Sequence, residues 1–201
     1  MKYYFSFILL FLAGCAELPL PPAVISPAMQ SLWQANQVRL ATVNRWRLNG
    51  RIAILTENED WTANVHWQQQ DKMYQLVFKA PLGQTIMSLE GQPENVIMRT
   101  SKGETFDARD ADSLIVKVMN LEIPVTNLYF WVRGIPAPEP QPTDYRLTED
   151  GHLYSLQQAG WNVAYKRYLD IQGVTLPDKL FLENSRFKVK IAVSEWEIGT
   201  P

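Results

Sequence analysis

The chain has 201 residues, with 19 Lys+Arg against 21 Asp+Glu, two His and one Cys, for a formal net charge of −2. That length suits one well-cored domain and is short for two. A balance this close to neutral offers no basic stripe for a nucleic acid, and a single cysteine excludes an intrachain disulfide or a thiolate cluster.

Lys2 precedes an apolar segment, Tyr3 to Leu12, followed by Leu12-Ala13-Gly14-Cys15. A positive start, a short apolar run and small residues describe a secretory leader. The run is shorter than the roughly 17 residues that span a bilayer. The lone cysteine completes a match to the bacterial lipobox. Residues 1–14 are therefore expected to be a lipoprotein signal peptide, and Cys15 to become the N-terminus, thioether-linked to a diacylglycerol. The mature chain of 187 residues would keep 18 basic against 21 acidic side chains. Residues 15–26 hold Pro19, Pro21 and Pro22 with one charge, Glu17, and read as an extended tether. Residues 27–201 read as one soluble domain, tethered by lipid and facing the periplasm.

Ser26-Pro27 forms an N-cap and first-turn proline. Met29, Leu32, Trp33, Val38, Leu40 and Val43 then predict an amphipathic helix to about Val43. Period two follows. Trp46, Leu48, Gly50, Ile52 and Ile54 alternate with polar partners, and so do Trp61, Ala63, Val65 and Trp67 after a Glu57–Asp60 turn. Tyr74, Leu76 and Phe78 form a third inward row. Further strands are predicted at about Gln84–Glu90 and Asn95–Thr100. Asp107 or Asp110 caps a helix carrying Leu114, Ile115, Val118 and Met119. Pro124 starts another, with Leu128, Tyr129, Trp131 and Val132, which Gly134 ends. Ile135–Pro142, rich in proline, reads as a rigid connector. Strands resume at Leu153–Gln158, Trp161–Tyr168, Lys179–Glu183 and Phe187–Trp196. The predicted fold is mainly β with added helices: an open antiparallel half-barrel whose apolar concave face the helices cover.

Catalytic signatures are missing: no Gly-x-Ser-x-Gly elbow, His-Glu-x-x-His, Walker loop or Gly-x-Gly-x-x-Gly. His66 falls on a polar strand face and His152 in a turn, so both are expected to be solvated. Glu57, Glu59 and Asp60 read as a wet hairpin tip, and Asp107, Asp110 and Asp112 as helix-start charges. An enzyme is not expected, nor any metal or cofactor beyond the lipid on Cys15.

The row Trp46, Trp61, Trp67, Tyr74 and Phe78 has two readings. As structure it is core; as function it lines a cavity for acyl chains, each buried CH₂ contributing about 0.8 kcal/mol. Pro81-Leu82-Gly83 lies between two strands at the sheet's rim, which leaves Leu82 as an exposed apolar tip able to dip into a bilayer.

These residues together resemble the family of the outer-membrane lipoprotein receptor and insertase LolB. The resemblance rests on Trp46-x-Leu48-x-Gly50-Arg51-Ile52-Ala53, Trp67-Gln68-Gln69, and Tyr74-x-Leu76 leading to Pro81-Leu82-Gly83. It continues through Pro124-Val125, Leu128 and Trp131-Val132-x-Gly134-Ile135-Pro136. Gly160-Trp161-x-Val163-x-Tyr165, Leu176-Pro177 and Lys188-Val189-Lys190 to Trp196 complete it. It implies a monomeric protein on the inner leaflet of the outer membrane of a Gram-negative bacterium. Such a protein accepts lipidated clients from the periplasmic carrier LolA and inserts them into that membrane, without nucleotide.

On this reading the acyl-chain cavity is lined by Trp46, Leu48, Ile52, Ile54, Trp61, Val65, Trp67, Leu76, Phe78, Ile86, Leu114, Val118, Leu128 and Trp131. Leu82, with Pro81 and Gly83, forms the insertion loop. Ala16 lacks the retention aspartate of enteric inner-membrane lipoproteins. One departure, the proline-rich 135–142 connector, is expected near the pocket's entrance. The concave row is expected to be under-packed, ready to hold acyl chains. The competing reading is a lipid-anchored scaffold with a filled core and a protein partner.

Overall fold

A computed structural model describes residue 21 and residues 24–57 and 60–199. The leader, Cys15, most of the tether, and Asn58-Glu59 in the first hairpin turn lie outside the described residues. In chain order the elements are α1 (Pro27–Ala41), β1 (Arg45–Leu55), β2 (Asp60–Gln70), β3 (Met73–Lys79), β4 (Thr85–Gln92), β5 (Asn95–Thr100) and β6 (Thr105–Ala108). Then come α2 (Ala111–Met119), α3 (Val125–Trp131), β7 (Asp144–Leu147), β8 (Leu153–Gln158), β9 (Trp161–Ile171), β10 (Val174–Glu183) and β11 (Lys188–Ile198).

The strands form one antiparallel sheet in the order β6-β5-β4-β3-β2-β1-β11-β10-β9-β8-β7. It is two meanders joined where β11 returns beside β1, and it stays open, with β6 and β7 as its edges. Period two sends every second side chain inward: Trp46, Leu48, Ile52 and Ile54 from β1 are all buried, and the residues between them are not. The sheet has more strands than the residue pattern predicts. The extra ones, β6 and β7, have four residues each, too few for alternation to register. Asp107 lies in β6 rather than capping a helix.

Gly50 occupies a register shift between β1 and β11, where a Cβ would lie 2.4 Å from the Ala192 carbonyl oxygen. Only glycine lets the two backbones approach there.

In α1 the Ser26 hydroxyl accepts from the Met29 amide at 3.2 Å, with Pro27 as first helical residue. Its buried side is narrower than predicted: Met29, Trp33 and Leu40 are inside, whereas Leu32 and Val38 face solvent. The helix closes the C-terminal wing of the sheet. Asn36 donates to the Gly151 carbonyl at 2.8 Å and Tyr145 to Gln30 at 3.3 Å.

The other two helices cover the concave face of the N-terminal wing. Asp110 caps α2, accepting from the Ser113 amide at 2.8 Å. The start of α3 has Pro124 and no side-chain cap of its own. Asp112 on α2 supplies the acceptor instead, taking the Thr126 amide at 3.0 Å. The first helix thus caps the second, so the pair behaves as one lid.

Candidate functional site

Between this lid and the sheet lies a chamber of about 50 Å³ whose walls are entirely apolar. The sheet contributes Leu48, Ile52, Ile54, Trp61, Val65, Trp67, Leu76, Phe78, Met87 and Ile191. The lid contributes Ile115 and Met119 from α2, Leu121 and Ile123 from the loop, and Val125, Leu128 and Val132 from α3 and its end. Helical spacing explains the lid residues: 115 and 119 are one turn apart, and 125, 128 and 132 share one stripe.

Nine of the residues expected to line a cavity meet here: Leu48, Ile52, Ile54, Trp61, Val65, Trp67, Leu76, Phe78 and Leu128. Five do not. Trp46 is buried below the chamber in an aromatic stack, with ring centroids 5.2 Å from Trp67, 5.3 Å from Trp196 and 6.3 Å from Tyr129. Ile86 has the opposite parity to Met87, which pairs with Phe78 and faces inward, and the register shift between Phe78 and Lys79 leaves Ile86 without a partner on β3. Leu114 is fully buried and Val118 half-buried, both outside the chamber. Trp131 turns to the other wing, where its indole N–H donates to Gln158 Oε1 at 2.8 Å.

The residues missed had a legible signal in part. Ser88 and Glu90 share the parity of Ile86, so the apolar phase of that strand runs through Met87 and Leu89. In the lid loop, Leu121 and Ile123 alternate with Asn120 and Glu122.

The under-packed row is not what this closed state contains. A space of about 50 Å³ is roughly a third of the ~150 Å³ known to admit one benzene, too small for an acyl chain. The chamber leads to a vestibule of about 430 Å³ that shares Ile54, Trp61, Met119 and Leu121 with it and adds Thr56, Glu57, Asn120, Arg186 and Phe187. Across this mouth Arg186 pairs with Glu122 at 2.5 Å, tying the lid loop to the β10–β11 turn. The proline-rich connector is absent from both sets of walls. It is held away by Gln158, which donates to the Ala137 and Pro140 carbonyls at 2.7 Å.

Strand register places the vestibule and the Leu82 loop at one end of the sheet. Leu55 is opposite Asp60 and Lys188, and Lys79, which leads into the loop, is opposite Asn64. The Gly83 amide donates to the Ala80 carbonyl at 2.8 Å, closing a turn with Pro81 in its first corner and Leu82 at the tip. Leu82 is 88 % exposed, more than any other large apolar side chain described.

Polar groups near the chamber suggest no chemistry. His66 faces outward and binds Asn49 at 2.7 Å; partial burial, then Lys79, lowers its pKa. His152 is half-buried against Tyr168 at 5.1 Å rather than solvated, and burial lowers its pKa too. Burial raises the pKa of Asp112, against the two hydrogen bonds from Thr126. Among the described residues no three His, Cys, Asp or Glu side chains gather as a metal site, and no helix is long and apolar enough to cross a membrane.

The site is an apolar chamber under a pair of helices on an open antiparallel sheet, the architecture of a binding protein. Comparison with known proteins sharpens that class. Residues 44–196 match the family model described as outer membrane lipoprotein LolB. A protein from Nitrosococcus oceani named outer-membrane lipoprotein LolB is 34% identical over 95% of this chain and 94% of its own. One from Cellvibrio japonicus with the same name is 35% identical, covering 83% and 84%. Among solved structures, a LolA superfamily protein from Nitrosomonas europaea superposes with a TM-score of 0.55 at 10% identity, over 88% of this chain and 96% of that one. A DUF1329 family protein from Desulfovibrio piger gives 0.53 at 8%, over 87% and 95%. The fold is therefore shared with both proteins.

The chain belongs to the LolB family. It is an outer-membrane lipoprotein with a receptor's role in lipoprotein localisation, and not an enzyme.

Proposed function

We propose that the chamber receives the acyl chains of lipidated proteins handed over by a periplasmic carrier of the LolA type, and that Leu82 then leads them into the inner leaflet of the outer membrane. Cys15 carries the lipid that holds the protein there, with residues 15–26 as tether and residues 27–201 as the working domain. The observation that carries this reading is the shared end: the apolar chamber opens toward the edge of the sheet from which Leu82 projects.

The energetics are those of exchange. Closed, the lid's apolar side chains fill most of the chamber; open, acyl chains replace them against the sheet. About ten buried CH₂ groups supply about 8 kcal/mol, set against the apolar lid contacts that they replace. Handover then depends on the difference in affinity between two apolar cavities and a bilayer, with no covalent step.

The near-filled chamber also favours a second reading, a lipid-anchored scaffold whose core never opens. One experiment separates the two. The full-length protein, carrying a photo-crosslinker at Ile54 or Val65, is placed in liposomes and given a carrier loaded with a lipidated protein, without nucleotide. Capture of the cargo's acyl chains, followed by cargo in the liposomes, is the expected result. Cargo left on a competent carrier, with no cross-link, would establish the scaffold instead.

A further inference from the structure

On the outer face of the sheet, away from the chamber, alternation presents Ala164 and Lys166 of β9, Lys179 and Phe181 of β10, and Lys190 and Ala192 of β11. Phe181 pairs with Ala164 on one side and Lys190 on the other. The small neighbours leave its half-buried ring at one side of a dip of about 380 Å³, where Glu183 and Lys188, paired across β10 and β11, also form part of the lining. Three ammonium groups converge on that ring: Lys166 at 5.8 Å, Lys179 at 5.6 Å and Lys190 at 5.9 Å from its centroid. Among the described residues, no carboxylate lies within 4.0 Å of any of the three. The ring's negative face offsets part of their mutual repulsion; an anion would remove much more.

We propose that this patch is a docking surface for the anionic headgroups of a phospholipid bilayer. Three observations favour lipid over an acidic protein. The cations are lysines, compact point charges that suit mobile phosphates, rather than the planar forks that match fixed carboxylates. Their centre is an aromatic ring, the side chain that settles at headgroup depth. The patch is also near the membrane-facing edge. Lys190 is two residues from the start of β11 and Phe181 two from the end of β10, about 7 Å along a strand, and that edge is the one from which Leu82 projects. A bilayer touched by Leu82 therefore brings phosphates to the lysines. The patch orients the domain, mouth toward the membrane, and this role does not depend on cargo binding.

Each basic side chain at an anionic surface strengthens attachment about five-fold, and salt screens it. The test uses the full-length protein in vesicles of phosphatidylcholine alone, or with about 30 mol% phosphatidylglycerol, labelled briefly with an amine acetylating reagent. Acetylation of Lys166, Lys179 and Lys190 is expected to fall at least about three-fold with phosphatidylglycerol and to recover in about 0.5 M NaCl, while Lys72 at the opposite end is unchanged. Backbone hydrogen exchange in β9 and β10 should slow in the same vesicles, and Lys166→Gln, Lys179→Gln and Lys190→Gln together should abolish the slowing. Equal labelling in both vesicles would overturn the proposal, as would protection that appears only when an acidic protein partner is added.

Discussion

The two wings of the sheet are closed in different ways. The C-terminal wing is filled and cross-linked by polar groups. Trp131 is fully enclosed and donates to Gln158, Tyr165 donates to the Trp131 carbonyl at 3.2 Å, and Tyr168 donates to the Leu153 carbonyl at 2.7 Å. In the N-terminal wing, the chamber under α2 and α3 is lined by apolar side chains. Hydrogen bonds are directional and leave one arrangement; apolar contacts are not, and tolerate sliding and exchange. On the proposed function, the hydrogen-bonded wing is the frame and the apolar chamber of the other wing is the site.

The largest effect expected from breaking this contrast is at Trp131. Trp131→Ala should cost about 3–5 kcal/mol, read as a large fall in Tm, because it empties an enclosed space and strips a hydrogen bond from Gln158. Leu128→Ala, on the same helix but facing the chamber, should cost only about 2 kcal/mol, the low end for a buried leucine, since its neighbour is already a void. The same variant should admit more of an apolar dye. Equal costs for the two would mean that both wings are packed alike.

Smaller effects sharpen the picture. Glu122→Gln breaks the ion pair across the vestibule; both partners are more than half exposed, so stability should change by less than about 1 kcal/mol. Cross-linking of acyl cargo at Ile54 should nonetheless become faster, because the lid loop is released from the β10–β11 turn. In the filled wing, His152 is half-buried, with Asn36 donating toward its ring at 3.4 Å. Its pKa is lowered from 6.5 on folding by burial, so the unfolded chain binds more protons. Stability should accordingly decline as pH falls below about 6.5; His152→Gln should flatten that slope in urea titrations across this range. Smallest of all for stability is Leu82→Glu, within about 0.5 kcal/mol. Delivery of cargo to liposomes should still drop, because a carboxylate resists entry into lipid.

The inward rows of β1, β2 and β3 are legible as residues, since a strand needs only a period of two and one dry face. Cap chemistry at Ser26 and Asp110 marks two helix starts. The match to the LolB family is likewise carried by residues alone, over nearly the whole mature chain. Other features are decided by the tertiary structure. The bulge that leaves Ile86 without a partner on β3 has no simple residue signature, although the parity it shares with Ser88 and Glu90, opposite to Met87, is legible. Trp131 and Leu128 lie on one short helix yet serve different wings, because that helix sits on the seam between them. The lid is a single unit because Asp112 caps a helix that follows in the chain and lacks a cap of its own. The chamber is nearly shut for the same kind of reason: periodicity says which side chains point inward, and the closeness of lid to sheet is settled only when all of them compete for one volume.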